Sequence, residues 1–181
     1  MGLSLAAVCG LRAFLPLFLI SVLGALGKVE LSDSFDWLAT PAAISTFGVA
    51  VVVELLADKF PVVDHLLDSV GIVIKPAAAG VVMASMITAF DPLVALVLGI
   101  LSGGLLAEGL HLLKAKLRLF SSLTTGTIAN PFLSLLEDVS ALVLTLIAWL
   151  APIAGALAIV LFFVVVFLRR RSTNDEALRK E

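Results

Sequence analysis

Charged residues, cysteines and catalytic motifs are all scarce in this chain of 181 residues. Only 14% of the residues are charged, against about 25% in a typical soluble domain. The single cysteine, Cys9, excludes a disulfide-stapled scaffold. The lack of a glycine period excludes collagen. A formal net charge of -2 argues against a nucleic-acid partner.

Signatures of catalysis and of phosphate binding are also missing. The sequence contains no Gly-x-Ser-x-Gly, no His-Glu-x-x-His and no P-loop, and no phosphate-binding pattern follows Gly103-Gly104. A nucleophile and base at a recognisable spacing are absent as well. We therefore expect neither enzymatic activity nor a cofactor, and a membrane-embedded enzyme is the weakest of the functional hypotheses.

Apolar residues dominate instead, at 61% of the chain with a mean hydropathy of +1.16. A bilayer core about 30 Å thick needs about 20 apolar residues of helix. We predict an all-α polytopic membrane protein with about six spans. Four of the spans begin at or beside a proline that follows Thr, Asp, Asn or Ala, where proline costs no hydrogen bond. The spans are 3–26, 42–57, 76–90, 92–113, 131–150 and 152–168.

The basic residues predict the orientation, because cytoplasmic loops carry an excess of Lys and Arg. With the N-terminus inside, ten of the twelve basic residues fall in inner segments. We predict a multi-pass protein of the bacterial inner membrane with both termini cytoplasmic. Residues 1–171 would form one transmembrane domain and 172–181 a charged tail. The inner basic residues are Lys59, Lys75, Lys114, Lys116, Arg118, Arg169, Arg170, Arg171, Arg179 and Lys180.

The middle of the chain contains an internal similarity between residues 41–90 and 92–150. In each unit a glutamate near the inner end of a span is followed by an amphipathic cytoplasmic segment and then by Gly-x-x-x-x-Pro. The offset is 54 residues from Glu54 to Glu108 and 55 residues from Gly71–Pro76 to Gly126–Pro131. This pattern predicts two parallel helix-hairpin repeats. The alternative is that two unrelated hairpins beginning at proline look alike.

Five ionisable residues fall within the predicted spans, all in the cytoplasmic half: Arg12, Glu54, Glu108, Glu137 and Asp138. An ionisable group within the membrane needs a partner or a cavity, so each of these residues is a candidate functional residue. Arg12 is interpreted as a counter-ion of Glu137 or Asp138, or as a contact for a substrate anion. The adjacent Glu137 and Asp138 point about 100° apart and cannot face one partner.

Glu54 and Glu108 have two interpretations. They would bind or gate a cation or proton, or they would snorkel to the inner interface near Lys59 and Lys114. Asp58 and His111 complete the predicted ion- or solute-binding set. A cytoplasmic mouth is predicted from polar residues of the inner segments: Lys59, Asp64, His65, Asp68, Lys75, Lys114 and Asn130.

The segment with Asp64, His65 and Asp68 is also the candidate for a metal site. Its two aspartates are four residues apart, and carboxylate oxygens suit a hard cation. The alternative is the solvated face of an interfacial helix, because Val63, Leu66, Leu67 and Val70 form an apolar stripe on the same segment.

Several short sequence motifs occur together in a characteristic order. They are residues 10–16 (GLRAFLP), 57–65 (ADKFPVVDH) with Asp68, Lys75-Pro76 with Gly80, 111–115 (HLLKA), and Asn130-Pro131 through Ser134 to Glu137-Asp138. From residue 10 to residue 152 the chain resembles a bacterial membrane-protein family, domain of unknown function 4126. The resemblance implies a polytopic inner-membrane protein in which these polar positions matter. Similar proteins often carry Thr beside the histidine of the fourth span, where this chain has Leu110-His111, so no hydroxyl ligand is expected there.

Transport of an ion or small polar solute by the intramembrane carboxylates is the leading hypothesis for function. The rival is a membrane scaffold or assembly factor whose buried charges only fix helix packing. Besides the lipid bilayer, a second copy of the chain is a candidate partner. Gly99 and Gly103 form a small face that suits close packing within the chain or across a homo-oligomer.

Overall fold

The computed structural model describes residues 1–57, 61–125 and 130–152, with single positions 154, 157, 160, 161 and 164; side chains are described outside 61–68 and 117–132. All regular structure in these ranges is helical. The elements are α1 (Gly2–Val8), α2 (Phe14–Ala25), a 3₁₀ segment (Asp33–Ala39), α3 (Pro41–Ala57), α4 (Pro61–Ala84), α5 (Pro92–Gly99), a π-helical segment (Ile100–Gly104), α6 (Leu105–Thr125) and α7 (Asn130–Leu150).

The first predicted span, 3–26, contains two helices, α1 and α2, with a break between them. The chain turns after α1, with the amide of Gly10 donating to Ala7 and the amide of Arg12 to Val8. A side chain at Gly10 would overlap the backbone carbonyl of Ala107 on α6. This close approach holds the break against α6, and irregular backbone at membrane depth is tolerated where protein surrounds it or a cavity adjoins it.

Two helix starts form as the sequence predicts. The hydroxyl of Thr40 accepts from the amide of Ala43 at 3.2 Å, just ahead of Pro41 at the start of α3. The carboxylate of Asp91 accepts from the amide of Leu93 at 2.9 Å, ahead of Pro92 in α5. In both helices proline takes a position whose amide would have no partner within the helix.

The third predicted span does not begin at Gly71–Pro76. Instead, α4 is continuous from Pro61 to Ala84 and carries Pro76 in its interior. The amphipathic segment and the apolar segment therefore form one helix. An interior proline is tolerated where neighbouring helices compensate the freed backbone groups. Pro76 lies against Gly104 of the π-helical segment, so a neighbouring helical segment packs on this proline.

The helices are compatible with a membrane protein, and two or three of the described helices qualify as spans, so the prediction of about six spans is not confirmed. By length and hydropathy, Pro92–Lys116 and Leu133–Leu150 qualify as spans among the described residues. A third forms if the 3₁₀ segment and α3, bent by 62°, count as one broken span. The apolar helices Phe14–Ala25 and Ser69–Ala84 are shorter. Most of the sixth predicted span, 152–168, and the tail from Arg169 lie outside the described residues.

Small residues allow the central helices to pack closely around α4. A side chain at Gly99 would overlap the carbonyl of Gly80, and one at Gly103 would lie 2.7 Å from the β-carbon of Ala6. Both glycines are buried. The small face of Gly99 and Gly103 therefore packs against helices of the same chain, which is one of the two alternatives that the sequence left open. A homo-oligomer remains a prediction that would require another surface.

The two repeat units share their starts at Pro41 and Pro92. The second halves of the units differ. In the first unit, α4 contains the amphipathic segment and the predicted span that follows it. In the second unit, α6 contains the amphipathic segment and the end of the predicted span that precedes it. The second Gly-x-x-x-x-Pro turn falls on residues 126–129, which lie outside the described residues. Superposition of the units remains a prediction.

Candidate functional site

Arg12 occupies the break between α1 and α2 and joins three parts of the fold. Its side chain is 2% exposed. The guanidinium forms an ion pair with the carboxylate of Asp138 on α7. It also donates to the backbone carbonyl of Glu54 on α3 at 3.2 Å. Of the two acidic neighbours that the sequence offered, the structure places Asp138 beside Arg12.

Glu54 caps the N-terminus of α2 from the neighbouring helix α3. Its two carboxylate oxygens accept from the amides of Ala13, at 2.9 Å, and Phe14, at 3.2 Å. The first amides of a helix have no partner within it, and they carry the positive end of the helix dipole. An anionic side chain satisfies both requirements. This capping role differs from the predicted snorkelling and depends on a helix start inside the first apolar segment.

Glu137 and Asp138 serve different partners, as their angular separation on α7 requires. The ammonium group of Lys114 on α6 lies 3.0 Å from a carboxylate oxygen of Glu137, whereas Asp138 faces Arg12. Both carboxylates are largely screened from solvent, with side-chain exposures of 14% and 17%. Two consecutive acidic residues thereby tie α7 to α6 and to the α1–α2 break.

A second polar contact connects α4 with α6. The amine of Lys75 lies 2.7 Å from Nδ1 of His111, and both residues are buried. If the lysine is charged, its ammonium group donates a hydrogen bond to Nδ1, and the neutral histidine carries its proton on Nε2. Lys75 and Lys114 were predicted for a cytoplasmic mouth, but their side chains are buried among the helices.

Glu108 stands one turn before His111 on α6 and differs from the other acidic residues. Its Oε2 atom is buried and has no hydrogen-bond partner among the residues that the structure describes. A buried carboxylate oxygen without a donor is costly unless it takes up a proton or a cation. The sequence singled out Glu108 by its spacing from Glu54, and the structure gives the two glutamates different surroundings.

The described interior carries more negative than positive groups. Four carboxylates lie buried or half-buried in the helices, against three cationic side chains. The difference in formal charge is one, with His111 neutral. The carboxylates belong to Glu54, Glu108, Glu137 and Asp138, and the cationic groups to Arg12, Lys75 and Lys114.

A cleft of about 200 Å³ lies beside the Arg12–Asp138 pair. We call it the Arg12 cleft. Arg12, Glu54 and Asp138 contribute to its lining, and the remaining walls are aliphatic: Leu15 of α2, Val51 and Leu55 of α3, and Val139 and Leu142 of α7.

Part of the predicted site lies beyond what the structure describes. Asp58 and Lys59 fall in the gap between α3 and α4, and the side chains of Asp64, His65, Asp68 and Asn130 are outside the described residues. The metal hypothesis for Asp64, His65 and Asp68 therefore stays a prediction. Among the described residues, no three His, Cys, Asp or Glu side chains are grouped to hold a metal ion.

In the part of the chain that the structure describes, these features define a helical protein with two or three helices that fit a membrane, together with an ionic network between helices. The family model for a domain of unknown function, DUF4126, matches residues 1–171, and the chain belongs to this family. No curated protein and no solved structure matches it.

Proposed function

We propose that the protein is a transporter or channel of the bacterial inner membrane that carries a proton or small cation on its buried carboxylates. The observation that supports this most directly is that the part of the interior that the structure describes holds four carboxylates and three cationic groups. Carboxylates in a low-dielectric interior are expensive unless a positive charge compensates them, and a carried proton or cation would do so.

The arrangement of the groups suggests where that charge binds. The carboxylates of Glu137 and Asp138 already face Lys114 and Arg12, and Glu54 caps α2. Oε2 of Glu108 can accept a proton or cation without breaking a hydrogen bond to any residue that the structure describes. We therefore propose Glu108 as the loading site, with Arg12 as the fixed counter-ion of Asp138.

The broken first segment is the second supporting feature. Discontinuous helices at membrane depth form binding sites in many transporters, because their ends expose backbone groups and dipoles to the cargo. Here the start of α2 meets Arg12, Glu54 and Asp138 beside a cleft. A change in the charge of these groups would alter the contacts that hold α2, α3 and α7 together.

Flux through proteoliposomes tests the proposal. Purified protein would be reconstituted and tested with a pH-sensitive dye and a panel of monovalent cations. We expect flux above that of empty vesicles and a loss of at least about tenfold in Glu108→Gln, which keeps the shape of the side chain but not its charge. Glu30→Gln in the exposed loop after α2 is the matched control and should transport normally. Equal flux in both variants would refute the role of Glu108.

The scaffold hypothesis remains the second candidate and has its own observation. The ion pairs Arg12–Asp138 and Lys114–Glu137 tie α7 to the rest of the bundle, which a purely architectural role would also require. A folded, reconstituted protein that passes no ion in the panel would favour the scaffold over the transporter.

A further inference from the structure

The Arg12 cleft opens toward the side of the protein that would face lipid. Its surface is almost entirely aliphatic, with walls from three helices, α2, α3 and α7. Two wall residues of α7, Val139 and Leu142, are each 51% exposed. Both lie near the middle of the candidate span Leu133–Leu150, which is the depth of acyl chains in a bilayer. We propose that the cleft binds one acyl chain of a membrane phospholipid.

A hydrocarbon chain fits these walls better than water does. Aliphatic walls offer a water molecule no hydrogen-bond partner, and an empty cleft would lose dispersion contacts along its whole lining. An engineered apolar cavity of about 150 Å³ stays dry and accommodates the six carbons of benzene. By the same ratio, a cleft of about 200 Å³ has room for about eight carbons of a chain.

The ionisable residues of the lining require nothing from such a ligand. Both oxygens of Glu54 accept the backbone amides at the start of α2, and the carboxylate of Asp138 faces Arg12. An acyl chain carries no charge and needs neither a donor nor an acceptor. It would keep water away from the Arg12–Asp138 pair, and the attraction between two charges is stronger where water is excluded.

A second copy of the chain fits the cleft less well than lipid does. Helices associate within a membrane through small residues that let backbones approach closely, or through polar side chains. The exposed positions next to the lining are instead large and aliphatic, as at Val52 and Leu56 of α3 and Val143 of α7. The close approach of Gly99 to Gly80 is made within the chain. A whole helix, about 10–12 Å across, is also too wide for this volume.

This inference goes beyond the proposed function and does not depend on it. It requires that α7 lies in a bilayer, not that the protein carries an ion. A phospholipid chain in the cleft would be a structural partner that joins α2, α3 and α7 beside the ion pair.

Photo-crosslinking in lipid nanodiscs tests the site. The probe is a phosphatidylcholine with a diazirine in the middle of one acyl chain, and mass spectrometry identifies the labelled residues. Leu15 of α2 is diagnostic, because it lines the cleft and is only partly exposed. We expect label on Leu15 and none on Ile20 of the same helix, which is fully buried at 0% exposure.

A pair of α7 variants separates loss of the site from loss of the fold. Val139→Trp fills the cleft from its exposed side and should abolish the labelling of Leu15. It should leave the label on Leu101 unchanged, since that residue is 58% exposed and lies outside the lining. Val143→Trp changes a 47% exposed position of α7 that is also outside the lining, and Leu15 should be labelled normally.

Native mass spectrometry of the unmodified protein in detergent supplies a test that needs no substitution. We expect one phosphatidylcholine molecule to stay bound per protein. Glycerophosphocholine, which is the same headgroup without chains, should not bind.

Three results would overturn the assignment. The first is the absence of label on Leu15 in the unmodified protein, and the second is labelling of Leu15 that survives Val139→Trp. The third is a dimer that Val139→Trp dissociates, which would assign the cleft to a second copy of the chain. Binding of glycerophosphocholine would likewise replace the acyl chain by the headgroup as the ligand.

Discussion

Removal of Arg12 should destabilise the protein far more than removal of an exposed basic residue. Arg12 is 2% exposed, and its guanidinium contacts the carboxylate of Asp138 and the carbonyl of Glu54. Arg12→Ala leaves the Asp138 carboxylate in a low-dielectric site without its guanidinium. Breaking a buried ion pair by removing one member costs about 3–5 kcal/mol.

A double-mutant cycle isolates the part of this cost that comes from the pair. Asp138→Asn alone also leaves one charge behind, but the double variant leaves neither charge. The destabilisation of the double variant should therefore be smaller than the sum of the two single effects. We expect a coupling free energy of about 1–3 kcal/mol, within the range for directly contacting groups.

Equilibrium unfolding in mixed micelles, followed by far-ultraviolet circular dichroism, measures these free energies. Lys116→Ala is the matched control, because Lys116 is an exposed basic residue. It should change stability by no more than about 1 kcal/mol. Additivity of Arg12→Ala and Asp138→Asn within about 0.5 kcal/mol would refute the coupling and leave the Arg12 guanidinium available to a substrate anion.

Three further predictions concern the cap, the helix contacts and the topology. Glu54→Leu should destabilise the protein by about 2–4 kcal/mol in the same assay, because it removes the acceptor of two α2 amides and the anion at the helix N-terminus. Gly10→Ala should cost more than about 2 kcal/mol, since its β-carbon would overlap backbone of α6. Reporter fusions at Glu181 and within 27–40 should report opposite sides of the membrane, with Glu181 cytoplasmic.

Each of these three predictions has a control or a result that would contradict it. Glu54→Gln keeps one acceptor oxygen and should cost less than Glu54→Leu; the reverse order would contradict the capping role. Gly48→Ala meets only the ring edge of Phe18, at 3.3 Å, and should be nearly neutral. If Gly10→Ala is equally neutral, the tight contact with α6 is wrong. A periplasmic signal from the Glu181 fusion would refute the topology.

Much of the helical architecture follows from local sequence signals. Thr40-Pro41 and Asp91-Pro92 specify helix starts through a polar cap followed by a residue that needs no amide partner, and both starts form. The angle between Glu137 and Asp138 is fixed by helix geometry, so the sequence indicated that they cannot face one partner, and in the structure Asp138 faces Arg12 and Glu137 faces Lys114. The small face with Gly99 and Gly103 also predicted close packing.

The tertiary structure decided the features that depend on groups far apart in the chain. Nothing local distinguishes a continuous first span from two helices, although Gly10 and Pro16 are compatible with a break. The break persists because Glu54, about forty residues away, supplies the cap for α2. The sequence likewise predicted that a helix begins at Pro76. Pro76 instead lies within α4, where neighbouring helices pack around it.

The sequence also did not predict which residues pair within the ionic network. Hydropathy and spacing located the buried charges, since every charged residue in an apolar run is conspicuous. They did not determine that Arg12 pairs with Asp138, that Lys114 pairs with Glu137, or that Lys75 lies among the helices beside His111. Those contacts depend on how helices rotate against one another, which is set by the packing of the whole bundle rather than by any segment alone.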